Sequence, residues 1–243
     1  MAHVTVTGER SGSTTGRTRT RTVPLGAVQA VGIAGVVAYN WWVVVPFRHG
    51  WMRSPDELFS DLAANGQPHA VVLQRLDLLA GLLLALTFLV RGASGRAARE
   101  WPWLVAFGSA AAIGGRFSFA CASGLDATCR YQEWHLALPA HHYVHMVMGV
   151  TEFVAITMAI WLAFRRTRFG NTFEARTVRV LVQVLLVAYP LLGVAYLTDH
   201  WGALVEPVFF VAFTVFMLVE LNESPEESER GYSPGPSTVV DHA

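Results

Sequence analysis

Apolar residues fall in six long, nearly uninterrupted blocks, at about 25–47, 69–90, 102–122, 138–164, 177–198 and 203–221. A hydrocarbon core about 30 Å thick takes roughly 20 mostly apolar residues per crossing helix, so each block predicts one transmembrane helix. Together the blocks occupy more than half of the 243 residues and leave no room for a separate soluble domain. The pattern therefore predicts an all-α polytopic membrane protein, a six-helix transmembrane bundle over residues 25–222. The flanking segments are polar. Residues 1–24 are rich in Arg and Thr, lack the apolar stretch of a cleavable signal peptide and read as a disordered arm. Residues 223–243 are rich in Ser, Pro and Glu and read as a disordered acidic tail.

Composition agrees with the blocks: 53% of the residues are hydrophobic, 15% are charged, and the mean hydropathy is +0.38. The net charge is zero, but its distribution is informative. All 18 basic residues are Arg. On six spans, 13 of them share one side: Arg10, Arg17, Arg19, Arg21, Arg91, Arg96, Arg99, Arg165, Arg166, Arg168, Arg176, Arg179 and Arg230. The other side holds Arg48, Arg53 and Arg130, 3 in all, and Arg75 and Arg116 fall within spans. Arginine-rich loops stay cytoplasmic, so the expected orientation has both termini inside, in a multi-pass protein of the cell membrane.

That orientation puts Cys121 and Cys129 outside, with Gly124 and Asp126 between them to turn the chain. In an oxidising compartment this spacing suits a disulfide; a metal pair or two unpaired thiols are the alternatives. The first outer loop contains an amphipathic stretch, Ser54 to Leu62, capable of a short helix lying on the bundle or the membrane.

Charged groups inside a membrane cost about 2.5–3.5 kcal/mol each at a helix centre on insertion scales, so each needs a partner or a use. Here they gather toward the outer side: Gln74, Arg75 and Asp77 in span two, Arg116 in span three, His141, His142, His145 and Glu152 in span four, and Asp199, His200 and Glu206 around the last turn. The inner halves read as Leu, Val, Ala and Phe. His142, His145, Gly149 and Glu152 recur at steps of three and four, along one face of a helix, with Gly149 leaving room for a neighbouring helix or ligand. Such a face suits acid–base chemistry, or a divalent metal held by the histidines with Asp77, Asp199 or His200 as a further ligand. Interhelical pairs such as Arg75 with Glu152 or Arg116 with Asp77 would satisfy the same residues without chemistry.

Two stretches carry a family resemblance. The first is Leu58-Phe-Ser-Asp-Leu-Ala-Ala-Asn-Gly-Gln-Pro-His-Ala70 with Arg75 and Asp77. The second is Gly115-Arg-Phe-Ser-Phe-Ala-Cys121, then Asp126-Ala-Thr-Cys129 and His142-Tyr-Val-His145. Over roughly residues 30–220 the chain resembles the integral membrane family known as domain of unknown function nine-nine-eight. It departs at Gly114 and Ala120, where the resemblance leads one to expect acids. The resemblance implies six spans and a bridged cysteine pair, and implies no activity.

The expected function is a membrane-embedded enzyme, of hydrolase or isoprenoid-cyclase type, acting on a lipid or isoprenoid from the outer leaflet. His142, His145, Glu152, Asp77 and Asp199 are its candidate catalytic groups, and Arg75, Arg116 and His200 its substrate-binding ones. The alternative is a non-catalytic membrane binding, transport or accessory protein. No phosphate loop, nucleophile elbow or nucleic-acid signature is present.

Overall fold

The structure, a computed structural model, describes residues 3–6, 21–43, 58–94, 99–198 and 200–222. Within the N-terminal segment β1 (His3–Val6) pairs antiparallel with β2 (Arg21–Pro24), Thr5 opposite Thr22. The rest of that arm, the C-terminal tail and the start of the amphipathic loop lie outside the described residues.

Helices follow in order: α1 (Leu25–Tyr39), α2 (Phe59–Leu62), α3 (Ala70–Ala93), α4 (Trp101–Arg116), α5 (Ala127–Trp134), α6 (Ala140–Thr167), α7 (Phe173–Thr198) and α8 (Gly202–Asn222). Four of them, α3, α6, α7 and α8, are long and apolar enough to cross a membrane. Their outer faces are apolar too: Leu79, Leu82, Leu86 and Leu89 of α3 and Leu186, Val187 and Leu197 of α7 are exposed, which suits a hydrocarbon surrounding rather than water.

Two of the expected spans are shorter than their apolar blocks. Helix α1 ends in a turn at Asn40, whose side chain bonds back to the Val36 carbonyl (2.8 Å) and exchanges hydrogen bonds with Thr214 of α8 (2.9 and 3.0 Å); residues 41–43 are helical again. Helix α4 stops at Arg116, and the apolar residues that follow form an irregular segment running to Cys121. Its 16 residues reach about 24 Å at 1.5 Å each.

Small residues set the packing. Gly108, Ala112 and Gly115 lie at steps of four and three along α4 and meet α3 backbone to backbone. A Cβ on Gly81 would sit 2.3 Å from the Ala112 nitrogen, one on Gly108 2.6 Å from the Ala85 nitrogen, and one on Gly115 2.4 Å from the Leu78 nitrogen. Close approach of this kind is how helices associate where burial from water supplies no driving force. Beside this pair the core is aromatic: Phe107, Phe209 and Phe213 are fully buried, with Phe153 and Tyr189 edge-on to Phe209 at 5.1 and 4.8 Å between ring centres.

Neighbouring long helices run in opposite directions, which gives the molecule two ends. One carries Cys121 and Cys129, the other Arg91, Arg166 and Arg176. The arginine end also carries a charge cluster, of which Glu100, Arg166 and Glu174 lie just outside the apolar blocks and Glu220 at the end of one. There Arg166 of α6 meets three carboxylates: Glu100 before α4 (3.1 Å), Glu174 of α7 (2.7 Å) and Glu220 of α8 (3.5 Å). Arg91 of α3 donates to the carbonyls of Glu220 (2.8 Å) and Leu221 (3.1 Å), so this knot joins five segments.

Candidate functional site

The cysteine end is closed by a cap built from three short segments. Cys121 and Cys129 form a disulfide, with Cα atoms 6.1 Å apart. Asp126 caps α5 by accepting the Thr128 N–H (2.8 Å). Glu133 follows Cys129 by four residues, so the bridge that fixes the cysteine also fixes the carboxylate one turn on. The Glu133 carboxylate is buried between His142 Nε2 (3.0 Å) and the donating Tyr196 hydroxyl (2.9 Å). The other ring nitrogen of His142, Nδ1, accepts the Ala120 N–H at 3.2 Å. That assigns the proton to Nε2 in the neutral ring, donated to Glu133. Both nitrogens of this fully buried residue are thus committed to bracing α5 and the cysteine segment.

Further hydrogen bonds tie the first loop to the cap and to α3 and α8. Asp61 of α2 accepts N–H groups from Leu58 (3.2 Å) and Gly124 (3.3 Å). Glu206 of α8 accepts the Phe59 N–H at 2.5 Å, at the start of α2. The Asn65 N–H donates to the Phe119 carbonyl (3.0 Å), and Gln74 donates to the Ala63 carbonyl (2.8 Å). Burial, with only two opposing backbone donors, pushes the Asp61 carboxyl up from the usual range to about 6.

Beneath the cap lie the remaining candidates. His145 Nδ1 faces two carbonyls, those of Gly114 (2.9 Å) and Phe117 (3.0 Å), so it is the donor and Nε2 carries the lone pair. Phe119 packs against both imidazoles, 4.8 Å from His142 and 4.1 Å from His145. Asp77 accepts the Trp41 indole N–H at 2.5 Å. Glu152 interacts electrostatically with Asp77 and with the Tyr39 hydroxyl. It has no hydrogen bond or ion pair among the described residues. Glu152 Oε1 and His145 Nδ1 approach the same point, where a Cβ on Gly114 would sit, at 3.5 and 3.8 Å. Gly114 leaves the point between these two groups without a side chain.

The structure brings together some of the expected residues and not others. Asp77, His145 and Glu152 converge, and His142 stands beside them in its bracing role. Arg75 and Arg116 are exposed; neither makes an ion pair among the described residues, so the expected pairs with Glu152 and Asp77 do not form. Arg116 lies instead over its neighbour Phe117, 5.7 Å from the ring centre. His200 is exposed at the α7–α8 turn, and Asp199 lies outside the described residues. Gly149 faces open space with no neighbour within 4 Å of a built Cβ, so it admits no close helix. No group of three His, Cys, Asp or Glu among the described residues is disposed to hold a metal ion.

The sequence reading gave Glu133 and Asp61 no role, and it placed Tyr196 at this end without a partner. Glu133 had one available signal, its spacing of four from Cys129; the other two become partners only through the fold.

No curated protein and no solved structure matches the chain. A family profile covers residues 32–220, from α1 to the last turn of α8 and including both the cap and the groups beneath it. The chain belongs to the family described as Protein of unknown function (DUF998).

Proposed function

We propose that this is a six-span protein of the cell membrane with both termini in the cytoplasm, whose cysteine end faces outward over an acid–base site that acts on a lipid or isoprenoid. Glu152 is the proton-transferring group, His145 Nε2 is the second base, and Asp77, oriented by Trp41, supports the charge that develops between them. Hydrolysis or a protonation-initiated cyclisation are the reaction types such a set serves. One observation carries the reading. Every other described carboxylate at this end accepts a hydrogen bond, namely Asp61, Asp77, Asp126, Glu133 and Glu206, whereas Glu152 in the middle of a long apolar helix has no such partner. An ionisable side chain held so expensively within a membrane helix is there for use.

The arginine distribution supports the orientation, and the exposed apolar faces support the lipid surroundings. One feature favours the second reading, a non-catalytic binding or accessory protein: His142, the most buried histidine, is fully spent on structure. The test is lipid mass spectrometry of membranes expressing the wild type, Glu152→Gln, Asp77→Asn or no protein. The expected result is a lipid or isoprenoid species that changes only with the wild type. An unchanged lipid profile, or a Glu152→Gln profile identical to wild type, overturns the enzymatic reading.

A further inference from the structure

A groove of about 780 Å³ runs along the arginine-end half of α7 where it meets α8. Its walls are Val180 and Val184 of α7 and Val208, Val211 and Val215 of α8, and among the described residues its lining holds no carboxylate. From Arg176 to Val184 the groove follows α7 for about 12 Å at 1.5 Å per residue, close to the depth of one leaflet of a hydrocarbon core about 30 Å thick. Arg176 stands at its arginine-end mouth. The neighbouring cations are engaged: Arg179 donates to the carbonyls of Ala175 (3.2 Å) and Gly170 (3.3 Å), and Arg166 holds Glu174. The exposed Arg176 guanidinium has no hydrogen bond or ion pair among the described residues.

We infer that this groove is a binding site for an anionic phospholipid of the cytoplasmic leaflet, with its phosphate on Arg176 and one acyl chain between α7 and α8. Charge decides between occupants. A second copy packed groove to groove would bury Arg176 among valines, with no carboxylate among the described lining residues to meet it, a costly arrangement. A lipid phosphate supplies the missing charge at the depth where headgroups lie, and its chain fills the apolar walls. The inference shares with the proposed function only the reading that α7 and α8 cross the bilayer with their arginine end inside; it is independent of Glu152.

Native mass spectrometry of the full chain, offered phosphatidylglycerol and phosphatidylethanolamine together, tests it. The wild type is expected to retain phosphatidylglycerol preferentially. Arg176→Gln should lower that preference about fivefold, the worth of one basic side chain at a lipid surface. Arg168→Gln, an exposed arginine of the same connection outside the groove, should leave it unchanged. Val211→Trp, which fills the groove, should lower binding of both lipids, and it decides the matter if Arg176→Gln does not fold. An unaltered preference in Arg176→Gln, an equal loss in Arg168→Gln, undiminished binding in Val211→Trp, or a wild-type dimer that Val211→Trp separates overturns the inference. Lipid binding here with no lipid conversion by the wild type would refute the enzymatic reading alone.

Discussion

Replacing Arg166 with Ala removes a cation that three carboxylates share at the arginine end. Its Nε lies 3.1 Å from Glu100, and its terminal nitrogen lies 2.7 Å from Glu174 and 3.5 Å from Glu220. The Glu100 side chain is 1% exposed and that of Glu220 7%, so two nearly buried carboxylates would lose the guanidinium they share. Removing one partner of a buried ion pair costs about 3–5 kcal/mol. Arg166 itself is 24% exposed, so some of its loss is made good by solvent, and the lower end of that range, about 3 kcal/mol, is the expected cost. For a chain of this size that corresponds to a fall in Tm of roughly 6–12 °C. The assay is thermal unfolding of the purified full chain in one detergent at one pH. Arg166→Lys should recover only part of the loss, because a single ammonium lacks the fork that reaches Glu100 and Glu174 together. Arg166→Met combined with Glu100→Gln should recover part by a different route, by deleting a charge that has lost its partner. An Arg166→Ala variant that unfolds within about 2 °C of wild type refutes the reasoning, and with it the view that this knot holds α4, α6, α7 and α8 in register.

Other consequences can be measured in the same preparation. Asp61 has its carboxyl raised to about 6, so its folded form favours the proton: its contribution is complete below pH 4 and declines as pH rises through 6. Asp61→Asn should therefore gain Tm on wild type between pH 4 and pH 7, and parallel pH profiles for the two would exclude a titrating Asp61. Gly108→Ala places a methyl 2.6 Å from the Ala85 nitrogen of α3, where only backbone could yield. It should cost at least about 2 kcal/mol, read as a lower Tm, whereas Gly149→Ala, facing open space, should be neutral or stabilising.

The helices were legible in the sequence because a membrane helix announces itself by a run of apolar residues, and α3, α6, α7 and α8 begin and end within a few residues of their blocks. Hydropathy does not register where an apolar run leaves the helix. The segment after Arg116 is as apolar as the helix before it, yet it turns away to meet Asn65 and His142. Asn40 stops α1 by bonding back to Val36 and across to Thr214, a partner 174 residues away. The same limit governs the sites. Spacing of three and four placed His142, His145 and Glu152 on one helix, but spacing cannot say that Glu133 takes the imidazole of His142. Arg166, Glu100, Glu174 and Glu220 each sit at a helix end, where single charges read as topology signals and boundary residues. Only the convergence of those ends makes them a cluster.

The most direct test is the reactivity of Glu152. A hydrophobic carbodiimide, which enters membranes and modifies carboxyl groups within them, would be applied to the purified wild type, and the modified sites mapped by peptide mass spectrometry. Glu152 should be labelled ahead of Glu133 and Glu206, which are buried and already accept hydrogen bonds, and lipid extracted from the host membrane should slow that labelling. Labelling of Glu133 or Glu206 with Glu152 untouched, or labelling of Glu152 that no membrane lipid slows, would contradict a lipid-binding acid–base site beneath the cap.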